Sequence, residues 1–227
     1  VGKPCPIKYV LYIIKENRTY DQVFGDLPQG NADPALCVFG REVTPNHHAV
    51  AEQFALLDNY YCNGVLSADG HAWATEGYVT DYLEKSFGGF TRSYPFAGDD
   101  PLSYSATGFI WDNLLLHGLS FRNYGEMSTT AVLPKEADWL AIYENHRTNG
   151  NAMAFQHDMQ IETLRRYSCA QSPGWNMRIP DCIRADVFLN EFSEYEKKGE
   201  WPNLVIIYLP NDHTSGTRVG SPTPRAQ

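Results

Sequence analysis

The chain has 227 residues, 43% hydrophobic and 20% charged, enough for one large domain with a sizeable core and too apolar for a disordered one. Its formal charge of −9 excludes the basic footprint that nucleic-acid binding requires; it agrees with a site that gathers divalent cations without demanding one. No apolar run approaches the roughly 18 residues of a transmembrane helix, and Val1 opens a polar, proline-containing segment instead of a signal peptide.

In chain order, residues 8–14 predict a buried strand, short, β-branched and aromatic, stopped by Glu16 and Asn17. Thr19 to Leu27 holds a short helical turn with Gly25 as its stop. "QGNADPALC" is loop, and "TPNHHAVAEQFA" is a helix with Thr44 as cap and Pro45 in its first position. "LLDNYYCN" reads as a second short strand. Ser67 or Asp69 then caps a helix from about His71 to Lys85, followed by a long aromatic loop, "SFGGFTRSYPFAGDDPLSYS". "ATGFIWDNLLLHGLSFRNYGE" gives a helix, a stop at Gly118 and a strand, with Ile110 and Leu114 on one helix face.

From Met127 to about Asn151 the pattern is irregular, and a helix follows near Met159 to Tyr167. "DCIRADVFLNEFSEYEKKGEW" is an amphipathic helix whose apolar stripe is Ile183, Val187, Phe188, Phe192 and Tyr195. "NLVIIYLP" is the last strand, and the rest is loop. Helices alternating with short apolar strands predict an α/β fold, three α/β/α layers with a mostly parallel sheet. The expected organisation is a single domain over residues 1–227, a piece of a larger one that stops without a closing element after its final strand.

The five cysteines include no CxxC, which excludes a zinc knuckle or a thioredoxin-type pair. Cys169 and Cys182 flank a loop that a disulfide would clip in an exported protein; buried free thiols suit the same positions.

Sites in parallel α/β sheets form at the C-terminal ends of strands. Three polar clusters fall there: Glu16-Asn17, "NGVLSADGH" and "NDHTSGTR". Carboxylate and amide oxygens suit Mg, Ca or Mn, and histidine moves the balance toward Zn or Fe. A helix beginning near His71, with Ser67, Asp69 and His71 at its mouth, offers backbone N–H groups to an anion. Each cluster also has a plainer use. Asn17 can make an Asx turn, Ser67 and Asp69 can simply cap a helix, His71 can face solvent, and Asp212-His213 can be a turn. His47 and His48 lie about 100° apart on a helix, so one belongs on the surface and one behind a site. The aromatic loop can line a substrate mouth or pack over the sheet edge.

"YIIKENRTYDQVFGDL" resembles the N-terminal motif of the phosphoesterase family of bacterial phospholipases C and acid phosphatases, within the alkaline-phosphatase-like superfamily. The matching residues are Glu16, Asn17, Arg18, Thr19, Tyr20, Asp21, Phe24 and Gly25. "FALLDNYYCNGVLSADGH", "FIWDNLLLHGLSFRNY" and "LPNDHTSGT" are similar to later segments of that family, in order, over about residues 7–216. The resemblance implies a metal-dependent phosphoric ester hydrolase, exported to the periplasm or beyond, acting on a small-molecule or lipid phosphate ester. It implies that Glu16 and Asn17 bind a divalent metal (Ca, Mg, Mn or Zn), and that His213, with Asp212, lies near the phosphoryl group. His71 is expected to contact substrate.

The sequence departs from the family in two places. Its nucleophile turn aligns Asp69 with the nucleophile and Ser67 with a glycine. Asp69 then ligates the metal and lets water attack, or forms an aspartyl phosphate; alternatively Ser67 is the nucleophile in a shifted turn, or the site is inactive. The family's later acidic metal motif is also absent from these residues. A non-catalytic binding or surface-interaction protein retaining the fold is therefore the alternative, and the Asp69 departure favours it. Asn17-Arg18-Thr19 is also a glycosylation acceptor tripeptide, which conflicts with a metal role that buries Asn17.

Overall fold

The computed structural model describes residues 5–86 and 98–214. β1 (Val10–Lys15) leads into α1 (Tyr20–Phe24), α2 (Pro45–Gln53), α3 (Ser67–Glu76) and α4 (Asp81–Ser86). Next come α5 (Ile110–Leu116), β2 (Phe121–Tyr124), β3 (Thr129–Leu133), α6 (Trp139–Arg147) and β4 (Ala154–Asp158). α7 (Glu162–Arg166), α8 (Asp181–Lys198) and β5 (Leu204–Leu209) follow, and a 3-10 turn over Pro210–His213 ends β5.

The fold is α/β, as the alternation predicts. β1, β5 and β2 form a parallel sheet in the order β1-β5-β2, while β3 and β4 form a separate antiparallel pair. β5 is central and alternates strictly. Leu204 and Ile206 join one core cluster with Trp111, Phe121 and Leu164, while Val205 and Ile207 join another with Tyr124 and Phe188 of α8. Both faces of β5 are thus covered by helices, which is why its run of five residues from Leu204 to Tyr208 is buried without a polar break.

β1 differs from the buried strand expected. It lies at the sheet edge, and Val10, Leu11 and Ile13 are each about half exposed; only Tyr12 and Ile14 pack on the core. Apolar composition is common to edge and central strands, and position in the sheet is set by partners distant in sequence.

Other elements were corrected too. "LLDNYYCN" forms no strand, because Asp58-Asn59 makes a turn there. The single helix expected over residues 71–85 starts earlier and is two, α3 and α4, broken at Gly77, which adopts φ +66° and caps α3. Residues 127–151 contain β3 and α6, and β4 precedes α7. α1, α2, α5, α8 and β5 match the reading closely, although Thr44 donates to the carbonyls of Phe39 and Gly40 instead of capping α2. All five cysteines are free, so Cys169 and Cys182 form no disulfide. Most of the aromatic loop, residues 87–97, lies outside the described residues.

Gly77 carries the first expected outcome. A Cβ there meets nothing within 4 Å, so only the left-handed backbone opposes a side chain. Gly77→Ala should cost about 1–2 kcal/mol of stability in urea denaturation; an unchanged midpoint would contradict a left-handed residue at this position.

Candidate functional site

Strand period 2 aims one line of side chains at the face beneath α3. Along β1, Tyr12 and Ile14 point to that face, and Glu16, one residue past the strand, continues the line and is 8% exposed. On β5, Tyr208 has the parity of Leu204 and Ile206 and is fully buried. Its hydroxyl donates to Glu16 Oε1. α3 supplies the opposite wall. Ser67 and His71 are four residues apart, hence on one face of the helix. Ser67 Oγ donates to Glu16 Oε2, and His71 Nε2 lies 3.3 Å from Glu16 Oε1.

His71 is held from behind. Its Nδ1 lies 2.6 Å from Oε1 of Glu126, a fully buried carboxylate. Glu126 follows β2 by two residues, and the Asn123 side chain fixes its backbone by accepting from Glu126 N (3.2 Å) and donating to Glu126 O (3.1 Å). Gly125, at φ +90°, makes the turn; a Cβ there would lie 2.4 Å from Pro173 O. Ser67, Glu16, His71 and Glu126 thus form a chain of hydrogen bonds from the mouth of α3 into the core, with Tyr208 joining at Glu16.

Opposing effects set the protonation states. Burial pushes the Glu16 carboxyl up, but the hydrogen bond and charge of His71, with Ser67 and Tyr208 donating, outweigh it and hold Glu16 at about 2. Burial pulls His71 down, but the charge and hydrogen bond of Glu126, together with those of Glu16, outweigh it and raise His71 to about 10. Burial and the charges of Glu16 and Glu126 push the Tyr208 phenol up, so it stays a donor. The lowered Glu16 and raised His71 favour an imidazolium paired with a carboxylate at neutral pH.

The turn after β5 faces this centre. Arg18 holds it in place: Nε donates to Asp212 O (2.7 Å), and Nη2 donates to His213 O (2.8 Å) and Thr214 Oγ1 (2.7 Å). From behind, Asn211 and Asp181 exchange hydrogen bonds, Asp181 N to Asn211 Oδ1 at 2.8 Å and Asn211 N to Asp181 Oδ2 at 3.0 Å. Asp181 also pairs with the fully buried Arg184 at 3.1 Å. The His213 ring meets Trp175 edge-on at 5.2 Å.

Two pockets meet at Glu16. The smaller, about 490 Å³, is lined by Glu16, Ser67, His71, His213, Trp175 and Tyr208, with Thr129. The larger, about 980 Å³, is bordered by Glu16, Asn17 and Asp212 among others. Of the residues read from sequence, Glu16, Ser67, His71 and His213 therefore share one pocket, and Asn17 and Asp212 share the other with Glu16.

Asp69 borders neither pocket. It lies two residues, about 200°, around α3 from Ser67. Its Oδ2 accepts from Val65 N (3.2 Å) and Leu66 N (3.3 Å), and its buried Oδ1 has no partner among the described residues. Its placement is that of a helix cap. Asn17 is exposed, not buried, and His71 is buried, not solvent-facing. His48 packs behind α1 with Nε2 2.7 Å from Asp26 Oδ1, while His47 borders the larger pocket.

Glu126 and Tyr208 were missed in the sequence. Glu126 had a signal, being the first acid past a strand end, as Glu16 is. Tyr208 had only its parity within an apolar run. As for a metal, the oxygens of Glu16 and Asn17 suit the near side of a divalent ion. Both Glu16 oxygens already accept hydrogen bonds, however, and among the described residues no group of three or more His, Cys, Asp or Glu could hold an ion. Compared with known proteins, the chain matches no family model, no curated protein and no solved structure.

Proposed function

We propose that the chain is the core of a phosphoric ester hydrolase of the alkaline-phosphatase-like type, with Ser67 as its nucleophile. The observation that carries this reading is the Ser67 hydroxyl. It stands in the first turn of a ten-residue helix, hydrogen-bonded to a buried carboxylate, on a pocket that also holds two histidines. The order of the phosphoesterase-like segments adds to it.

In the proposed reaction the phosphoryl group enters the smaller pocket. The α3 N-terminus and the His71 imidazolium offset its negative charge. Ser67 Oγ, oriented by its hydrogen bond to Glu16, forms the bond to phosphorus and releases its proton to water. The bond from phosphorus to the alcohol oxygen breaks, and that oxygen takes a proton from His213. Water then hydrolyses the phosphoserine. With its pKa near 2, Glu16 alone is a weak base. Glu16 and Asn17 would contribute two ligands to a divalent ion whose remaining ligands lie outside the described residues; such an ion would polarise a phosphoryl oxygen and lower a hydroxyl's pKa. In this reading Asp69 orients α3.

A second reading is a non-catalytic binding protein of the same fold. It is favoured by the full occupancy of the Glu16 oxygens, which Ser67, Tyr208 and His71 satisfy as a closed polar network. Hydrolysis of p-nitrophenyl phosphate, after chelation and with Ca, Mg, Mn or Zn restored singly, separates the two. The expected result is turnover with at least one ion, reduced about 100-fold or more by His213→Ala. A folded protein that turns over no ester with any ion would leave the second reading.

A further inference from the structure

We propose that the larger pocket is a leaving-group subsite and that it takes a neutral polyhydroxy alcohol of the sugar type; this rests on the hydrolase reading above. The two pockets share Glu16, and the successive residues Asp212 and His213 border different ones, Asp212 the larger and His213 the smaller. An ester whose phosphorus is attacked by Ser67 in the smaller pocket therefore projects its alcohol past Glu16 into about 980 Å³ of space, room for a ring-sized group.

The lining narrows the chemistry. Most of the bordering residues carry an amide, carboxylate or hydroxyl, and an alcohol with hydroxyls of its own returns hydrogen bonds to such groups when it displaces their water. A second anionic group is also disfavoured. Glu16, Asp21, Asp58 and Asp212 supply four carboxylates against the two cations Lys15 and Arg18. Both cations are already engaged, Lys15 with Asp212 at 3.3 Å and Arg18 with the turn after β5.

What remains open is neutral. The Asn31 side-chain amide borders the pocket and has no hydrogen-bond partner among the described residues. It offers donors and an acceptor together, the complement of a hydroxyl, which is both. Tyr60 and Tyr61, 78% and 77% exposed, border the same pocket and offer aromatic surface against which the C–H face of a sugar can lie.

The test compares three esters on the 227-residue chain: glucose 6-phosphate, choline phosphate and fructose 1,6-bisphosphate, with p-nitrophenyl phosphate as reference. kcat/KM for glucose 6-phosphate should exceed that for the cationic and the doubly anionic esters by about tenfold or more. Asn31→Ala should lower the ratio of glucose 6-phosphate to p-nitrophenyl phosphate by about tenfold. Turnover of p-nitrophenyl phosphate with no glucose 6-phosphate advantage, a preference for choline phosphate, or an unchanged ratio in Asn31→Ala overturns the subsite and leaves the hydrolase reading standing. If no ester is hydrolysed, the hydrolase reading falls, and titration with free glucose decides the site alone. Shifts of the Asn31 side-chain amide signals in NMR spectra support a sugar site, and their absence overturns it.

Discussion

Ser67→Ala is expected to reduce phosphate-ester turnover by roughly a thousandfold or more in kcat, because in the proposed reaction it removes the atom that forms the bond to phosphorus. The protein should still fold. Ser67 is helical residue N1, where alanine is well tolerated, and the backbone N–H groups of Val65 and Leu66 keep their acceptor in Asp69. The lost hydrogen bond to Glu16 should cost about 1 kcal/mol. Steady-state kinetics beside a thermal melt separate the two effects.

Asp69→Asn is the necessary companion, since alignment with the phosphoesterase motif gives Asp69 the nucleophile's place. The helix turn puts Asp69 about 200° from Ser67, so the asparagine variant should lose stability before activity. If Asp69→Asn abolishes turnover while Ser67→Ala leaves it, the nucleophile has been assigned to the wrong residue.

The second large effect is on stability. Glu126→Ala should destabilise the fold by about 3–5 kcal/mol, because among the described residues it leaves the buried His71 imidazolium with Glu16 as its one remaining carboxylate. The pH dependence gives the direction. His71 is raised from 6.5 to about 10, so its contribution is whole below pH 6.5 and is lost as pH rises through 10. Glu16 is lowered from 4.5 to about 2, so its contribution is whole above pH 4.5 and is lost as pH falls through 2. Together they stabilise most between pH 4.5 and 6.5. Urea midpoints of the wild type should therefore fall from pH 6 to pH 10, and Glu126→Gln should flatten that slope. A wild-type midpoint level across this range would mean that His71 is buried neutral.

Much of the centre was legible in the sequence because strand ends in a parallel sheet are local features. An acid just past an apolar run, a hydroxyl at a helix start and a histidine after the last strand can each be found without knowing the fold. What sequence could not give was which of these residues face each other. Ser67 and His71 share a helix face and Asp69 does not, but that follows only once α3 is known to begin at Ser67 and not near His71. Glu126 was obscured because the strand before it is four residues long and the segment after it has no clear period. The edge position of β1 was hidden for a different reason: its one strand neighbour among the described residues, β5, is far away in sequence. The antiparallel pair β3 and β4 is likewise separated by α6, so no hairpin turn announces it.

The strand order has a consequence for how the molecule is made. β1 and β2 each pair with β5, the last of the five strands among the described residues, and Tyr208 on β5 is 192 residues beyond the Glu16 it bonds. Until β5 has been synthesised, the half-apolar β1 lacks this strand partner, and the Arg18 clamp has no turn to hold. The helical segments can form early, since their contacts are local, but the sheet and the polar centre must close together in one late, long-range step. That sets a slow folding route and a window in which the β1 segment is open to association with other chains.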